Sequence, residues 1–277
     1  MKISTLILIG AMSASTAAFG ADAISAKDFV NKAGEGGAAE VAMGKLGAQK
    51  ATNAEVKAFA EKMVADHTKA NKELMAAAKA KGLEVGVHDL RHDGKLYDSR
   101  AVFQQHADKI NRYLQEWDAV GFRSAFMQRE LEWLHDLDIA YDTSTFDTDP
   151  FEPQPEGVHT IFPFWCGAPD GKSGYLELPY TLPQDSTLFV VLEEKGIDIW
   201  KQKLDWIVER GGMALVNVHP DYIGFEGAQR PSEYPVNFYT ELLEYVRTKF
   251  SGQYWNALPR EVAEHFQTAL VPSHAVS

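Results

Sequence analysis

AKAKGLEVGVHDLRHDGKLYD, residues 78–98, is where the chain changes character. From Ala21 to Leu83, ten Lys and no Arg face eight acidic residues, a balance of +2, with Phe29 and Phe59 as the only aromatics. From Glu84 onward, sixteen Lys and Arg face thirty-one acidic residues, a balance of −15, and all six Trp lie there. Such asymmetry predicts two units with separate surfaces. Neither unit carries the clustered Lys/Arg excess that phosphate backbones require, so nucleic acid is excluded as a partner.

Working back from the break, residues 1–20 read as an export leader, which places the protein in the periplasm or at the cell envelope. Lys2 supplies the positive start, Ile3 to Gly10 the apolar run, and Ala18-Phe19-Gly20 the small-x-small pattern before Ala21. The alternative is an uncleaved anchor. No later stretch holds eighteen continuous apolar residues, so no membrane span is expected in the mature chain. Cys166 is the only cysteine, which rules out an internal disulfide and a Cys-rich metal site.

Residues 21–84 predict a helical hairpin. Ser25 with Asp28, and Thr52 with Glu55, resemble N-terminal capping pairs for helices over Lys27 to Ala51 and Asn53 to Lys81, with Gly82 at the stop. Val56, Phe59, Met63, Ala70 and Leu74 recur at helical spacing and define an expected buried face. His67 falls on that face and could form a ligand pair with Glu40, as facing helices do in metal-binding bundles. The plainer reading is a hydrogen-bonded His. The wording from Phe29 to Leu74, VKAFAEKMVADHTKAN above all, resembles a family of exported bacterial proteins of unknown function with a ferritin-like fold. That family continues into a second helix pair, which is absent here.

Residues 85–277 alternate strand and helix patterns. Expected strands are Val85 to Val87, Phe122-Arg123, Ile139 to Asp142, Thr187 to Glu193 and MALVNV at residues 213–218. Expected helices run from Ser99 to Val120, Ala125 to His135 and Gly196 to Arg210. This alternation predicts a largely parallel α/β sheet or barrel, whose sites gather at the carboxyl ends of strands. His88, Arg123, Asp142 and His219 all stand at such ends.

His88 and His92, three residues apart, can turn two imidazoles toward one cation, and two His with a carboxylate leave zinc a position for water. DTSTFDTDPF, residues 142–151, supplies carboxylates that can hold a His. PFWCGAPDGKSGYLELPY, residues 163–180, offers Trp165, Tyr175 and Tyr180 as a sugar-stacking platform or as core.

Over residues 84–266 these motifs resemble, in order and spacing, the polysaccharide deacetylase (NodB-homology) carbohydrate esterases. The resemblance implies an α/β fold, an incomplete (β/α) barrel preceded by the two-helix hairpin, and hydrolysis of N-acetyl groups on a glycan. It implies that His88 and His92 bind a divalent metal of zinc type. Arg123 would orient a catalytic carboxylate, Asp142 or Asp147 would tune the catalytic acid, and His219 would protonate the leaving amine. The family's first-strand Asp motif, which supplies the general base and third ligand, has no counterpart between Ala21 and Val87; Asp89 and Asp93 are the local substitutes. An exported carbohydrate- or envelope-binding protein without catalysis, and a fusion of two gene fragments without selected function, stay open beside the hydrolase.

Overall fold

The computed structural model describes residues 4–10, 41, 43–170, 173–225 and 230–270. The chain divides into Met12–Val85 and a larger unit of Met1–Ala11 with Gly86–Ser277.

In the smaller unit, residues 43–50 are helical and α1 spans Ala54–Ala80. Asn53 starts α1 by accepting the Glu55 and Val56 N–H groups, at 2.8 and 3.2 Å. Asn53, and not the expected Thr52, is therefore the cap. The two helical stretches meet closely: a Cβ on Gly44 would come within 2.8 Å of Val64 Cγ2, and one on Gly47 within 3.0 Å of Ala60 Cβ. The expected apolar face is met in part: Met63, His67 and Leu74 are half-buried, while Val56, Phe59 and Ala70 are exposed. Val56 and Phe59 are 51% and 65% exposed, and Ala60 is the buried residue of α1. Small residues let the two backbones approach, so the seam follows Ala60 and Val64 and leaves Val56 and Phe59 outside. Ser25, Asp28 and Glu40 lie outside the described residues.

The larger unit is built on parallel strands. β2 (Val87–His88), β3 (Gly121–Arg123), β4 (Tyr141–Asp142) and β6 (Gly174–Glu177) pair in that order, and β5 (Phe164–Gly167) joins β6 antiparallel. Beyond β6 the chain runs on between β4's continuation and β7 (Met213–Val218), through bridges Phe146 to Tyr180 and Leu182 to Val216. β7 then pairs with β1 (Ser4–Gly10), and β1 with β10 (Tyr254–Asn256). Among the described residues β10 and β2 do not pair, so the sheet is not shown closed into a barrel. A small parallel pair, β8 (Ile223–Gly224) and β9 (Tyr234–Pro235), follows β7.

Helices cover this sheet by apolar periodicity. α2 (Arg100–Trp117) buries Phe103, Ala107, Ile110 and Leu114, spaced four, three and four residues apart. These pack on Val87, Phe122 and Tyr175. Ser99 caps its start, and Asp118, at φ 50°, ends it in the left-handed region. α3 (Asp198–Arg210) and α4 (Val236–Lys249) bury Trp200, Leu204, Ile207, Leu242 and Val246 against β7 residues Val216 and Val218. α5 (Pro259–Leu270) packs Val262 and Ala263 on Leu215 and Tyr141.

Two expected elements are corrected. In place of a helix from Ala125 to His135 there are two short 3-10 turns, Ala125–Met127 and Trp133–Asp136. Phe126 and Met127 have φ of 54° and 52°, a left-handed backbone that no right-handed helix passes through. In place of a strand from Thr187 to Glu193 there is one wide helical turn, Ser186–Val191, started by the Asp185 carboxylate on the Ser186 N–H at 2.7 Å. The turn buries Leu188 and Phe189 in the α3–α4 core, where burial decides over β-propensity.

Ser4–Gly10 lies within the segment read as an export leader, yet here it is a strand with parallel ladders on both sides. A chain cut before Ala21 lacks that strand and exposes the backbone edges of β7 and β10. Urea unfolding of residues 1–277 and 21–277, followed by Trp fluorescence, is expected to give a lower midpoint for the shorter chain. Equal midpoints would show that β1 contributes nothing to the sheet.

Candidate active site

The sequence candidates of the larger unit gather where β2, β3, β4 and β7 end. His88 closes β2, and its Nδ1–H donates to the Arg123 carbonyl at 3.1 Å. A carbonyl can only accept, so Nε2 carries the lone pair and is the ring's ligating or basic atom. Burial, then the charge of Arg123, pulls His88 down to about 4, with His92 and His219 pushing the same way. His88 is therefore neutral at physiological pH, and its electrostatic neighbours show that these four residues share one region. The His92 ring stands 5.5 Å from that of His88 and 4.2 Å from Phe126. Phe126 is the left-handed residue noted above, and it is 43% exposed. A bulky residue held in that conformation costs about 1–3 kcal/mol.

Arg123 ends β3 and is 4% exposed. Its Nε donates to the Thr143 carbonyl at 3.2 Å and its Nη1 to Asn217 Oδ1 at 2.6 Å. Its Nη2 is buried and meets no acceptor among the described residues. The guanidinium thus spans from β3 to β7 with one donor in reserve.

Asp142 and Asp147 do not hold His219. Asp142 is fully buried at the end of β4, accepting the Ser144 N–H and hydroxyl at 2.8 Å each. It pairs in register with Glu177 of β6. Burial pushes Asp142 up, and burial with the Asp142 charge pushes Glu177 far up. Glu177 Oε1 accepts from the Thr145 hydroxyl at 2.6 Å, while Oε2 is buried without a donor. A protonated Glu177 donating to Asp142 satisfies both carboxyls. Asp147 is claimed by Lys203 of α3 at 2.5 Å, an interaction that fixes a helix to the 142–151 segment.

The partner of His219 is Asp185. One carboxylate oxygen accepts His219 Nδ1–H at 2.6 Å, and the other accepts the His219 backbone N–H at 2.6 Å and the Tyr234 hydroxyl at 3.0 Å. This leaves His219 Nε2 as the exchanging atom, on a side chain 23% exposed, while Asp185 is fully buried. Asp185 is the candidate site residue that sequence reasoning missed. Its one local signal was a Pro-Gln-Asp-Ser turn pattern at residues 183–186, which reads as an ordinary cap. Tyr175 and Tyr180, read as a sugar platform or core, are core at 1% and 0% exposure, and Trp165 is half-buried.

The described residues do not complete a zinc centre. Among the described residues no group of three or more His, Cys, Asp or Glu side chains is placed to hold a metal. A catalytic zinc takes three protein ligands, and His88 with His92 supplies two. Asp89 is spent on backbone N–H groups of Leu90, at 2.5 Å, Ala125 and Arg91, and Asp93 is exposed and accepts from Lys95 N–H at 3.1 Å.

With this geometry, the structure resembles a solved one from Mycobacterium smegmatis, described as a "putative polysaccharide deacetylase". The TM-score is 0.53 at 16% identity, over 76% of this chain and 72% of that one. That likeness shows a mixed α/β fold similar to a deacetylase fold. The family model of DUF4142, a domain of unknown function, matches residues 11–137 and so crosses the division at Val85 and Gly86. No curated protein matches the chain in sequence. Among the described residues no helix is long and apolar enough to cross a membrane.

The Glu177 proton gives a signed pH effect. Its folded pKa lies above the ordinary 4.5, so the stability it brings is complete below that value and is lost as pH rises toward the folded pKa. One proton corresponds to a slope of about 1.4 kcal/mol per pH unit. Glu177→Gln, the neutral isostere, is expected to gain stability over wild type from pH 5 to pH 8 in urea titrations. A constant difference across that range would contradict a protonated Glu177.

Proposed function

We propose that the larger unit is a polysaccharide-deacetylase-like hydrolase acting on N-acetyl groups of a glycan, with His219 and Asp185 as its proton-donating pair. The observation that carries this reading is the Asp185 clamp on His219 at the end of the buried strand β7. The deacetylase-like fold supports it, as does the position of His88, Arg123 and His219 in one electrostatic neighbourhood.

In acetamide hydrolysis, water adds to the carbonyl carbon and the C–N bond then breaks, its electrons passing to nitrogen, which must gain a proton. Asp185 fixes the tautomer and ring plane of His219, so Nε2 faces the leaving nitrogen without a reorientation cost. Arg123 holds β3 to β7 and so fixes where His88 and His219 stand relative to each other. A divalent metal at His88 and His92 would polarise the acetyl carbonyl. The donor set described above falls one ligand short, so no step here is routed through a metal. That shortfall favours a second reading, a glycan-binding protein on the same scaffold. Export by the 1–20 leader belongs to the proposal, with periplasmic fractionation of the full gene product as its check.

The experiment is acetate release from N-acetylated chito-oligosaccharides, with calorimetric binding of the same sugars, for wild type and His219→Ala. The variant is expected to lose about 10² to 10⁴ in rate while keeping its affinity. Binding without acetate release from wild type would favour the glycan-binding reading. Neither binding nor release would overturn both.

A further inference from the structure

A hydrogen-bonded line of side chains crosses the centre of the larger unit. Arg123 Nη1 reaches Asn217 Oδ1 at 2.6 Å, and Asn217 Nδ2 donates to Gln184 Oε1 at 2.5 Å. Gln184 Nε2 donates in turn to Glu152 Oε1. The same Glu152 oxygen lies 2.7 Å from the Tyr180 hydroxyl, which stands 2.9 Å from Asp149 Oδ2. Gln184 and Asp185 are consecutive. One ties the Glu152 end of the line to β7, and the other clamps His219, the residue just past that strand's end.

Protons do not balance here if both carboxyls are ionised. Tyr180 has one hydroxyl proton and two carboxyl oxygens within hydrogen-bond distance, so the second contact needs a proton from Glu152 or Asp149. Both residues are buried, at 8% and 3% exposure, where two like charges cannot stand together unscreened. The line ends at its other side in the buried guanidinium, whose Nη2 meets no acceptor among the described residues.

We infer that Glu152 and Asp149 share one proton across the Tyr180 hydroxyl, and that Glu152 is the acid–base carboxyl of the deacetylase-like site. This rests on the proposed function and supplies the base that the first-strand motif would have given. Burial, then the Asp149 charge among other neighbours, raises Glu152, while Arg123 and His219 act against it, so both lie within its electrostatic reach. In the reaction the singly charged pair takes one proton from water as its oxygen adds to the acetyl carbon. The C–N bond breaks, nitrogen receives a proton from His219, acetic acid and a free amine leave, and the proton taken up by the pair returns to His219. Water is the only co-reactant.

The test uses the full chain and two readouts. The infrared difference between wild type and Glu152→Gln at pH 7 is expected to contain a protonated-carboxyl C=O band that shifts in D2O. Asp149→Asn is expected to displace the same band. Glu152→Gln is also expected to lower acetate release from N-acetylated chito-oligosaccharide at least about a hundredfold, with sugar affinity retained. A difference spectrum without such a band, for both Glu152→Gln and Asp149→Asn, overturns the shared proton; the protonated Glu177 is common to all three proteins and cancels. A Glu152→Gln rate within twofold of an active wild type overturns the catalytic assignment and leaves the deacetylase reading standing. An inactive wild type overturns that reading and the role of Glu152 with it.

Discussion

The buried Arg123 guanidinium is the constraint on which the site depends. A charge almost wholly removed from water must be compensated by hydrogen bonds. Arg123 finds them on a carbonyl following β4 and on Asn217 of β7. The first reaches the neighbouring strand's end, and the second ties β3 to β7, which it does not pair with. They thereby set the spacing between His88, whose ring rests on the Arg123 carbonyl, and His219, two residues after Asn217. Asp142, Glu177 and Glu152 all feel its charge.

Around that tie the unit concentrates buried polar groups. Asp142 with Glu177, Glu152 with Asp149, and Asp185 with His219 are three carboxyl systems satisfied by different means. The first uses a proton with Ser and Thr donors, the second a Tyr hydroxyl and an amide, and the third an imidazole and a backbone N–H. A network of this kind costs stability wherever it is incomplete, and Arg123 Nη2, a donor without an acceptor among the described residues, lies in it. The apolar layers contributed by α2, α3, α4 and α5 surround the network and provide the burial that holds it together.

Much of this architecture was legible in local pattern. The spacing of Phe103, Ile110 and Leu114 marked α2, the run MALVNV marked β7, and the positions of His88, Arg123 and His219 after strands brought them to one end of the sheet. Where local pattern misled, a tertiary demand had overridden it. Thr187 to Val191 has strand composition but turns helically because Leu188 and Phe189 fill the α3–α4 core. The apolar stripe of α1 yields in part to close contact through Gly44, Gly47 and Ala60.

The sequence alone determined the change of character near Glu84, the alternating elements after it and the His, Arg and Asp residues at strand ends, because periodicity and residue type are local properties. Only the tertiary structure decided which carboxylate serves which partner. Asp147 goes to Lys203, Asp142 to Glu177, and Asp185, thirty-four residues before His219, becomes its clamp. Such pairings depend on which strand ends meet across the sheet. The spacing of residues along the chain does not record it.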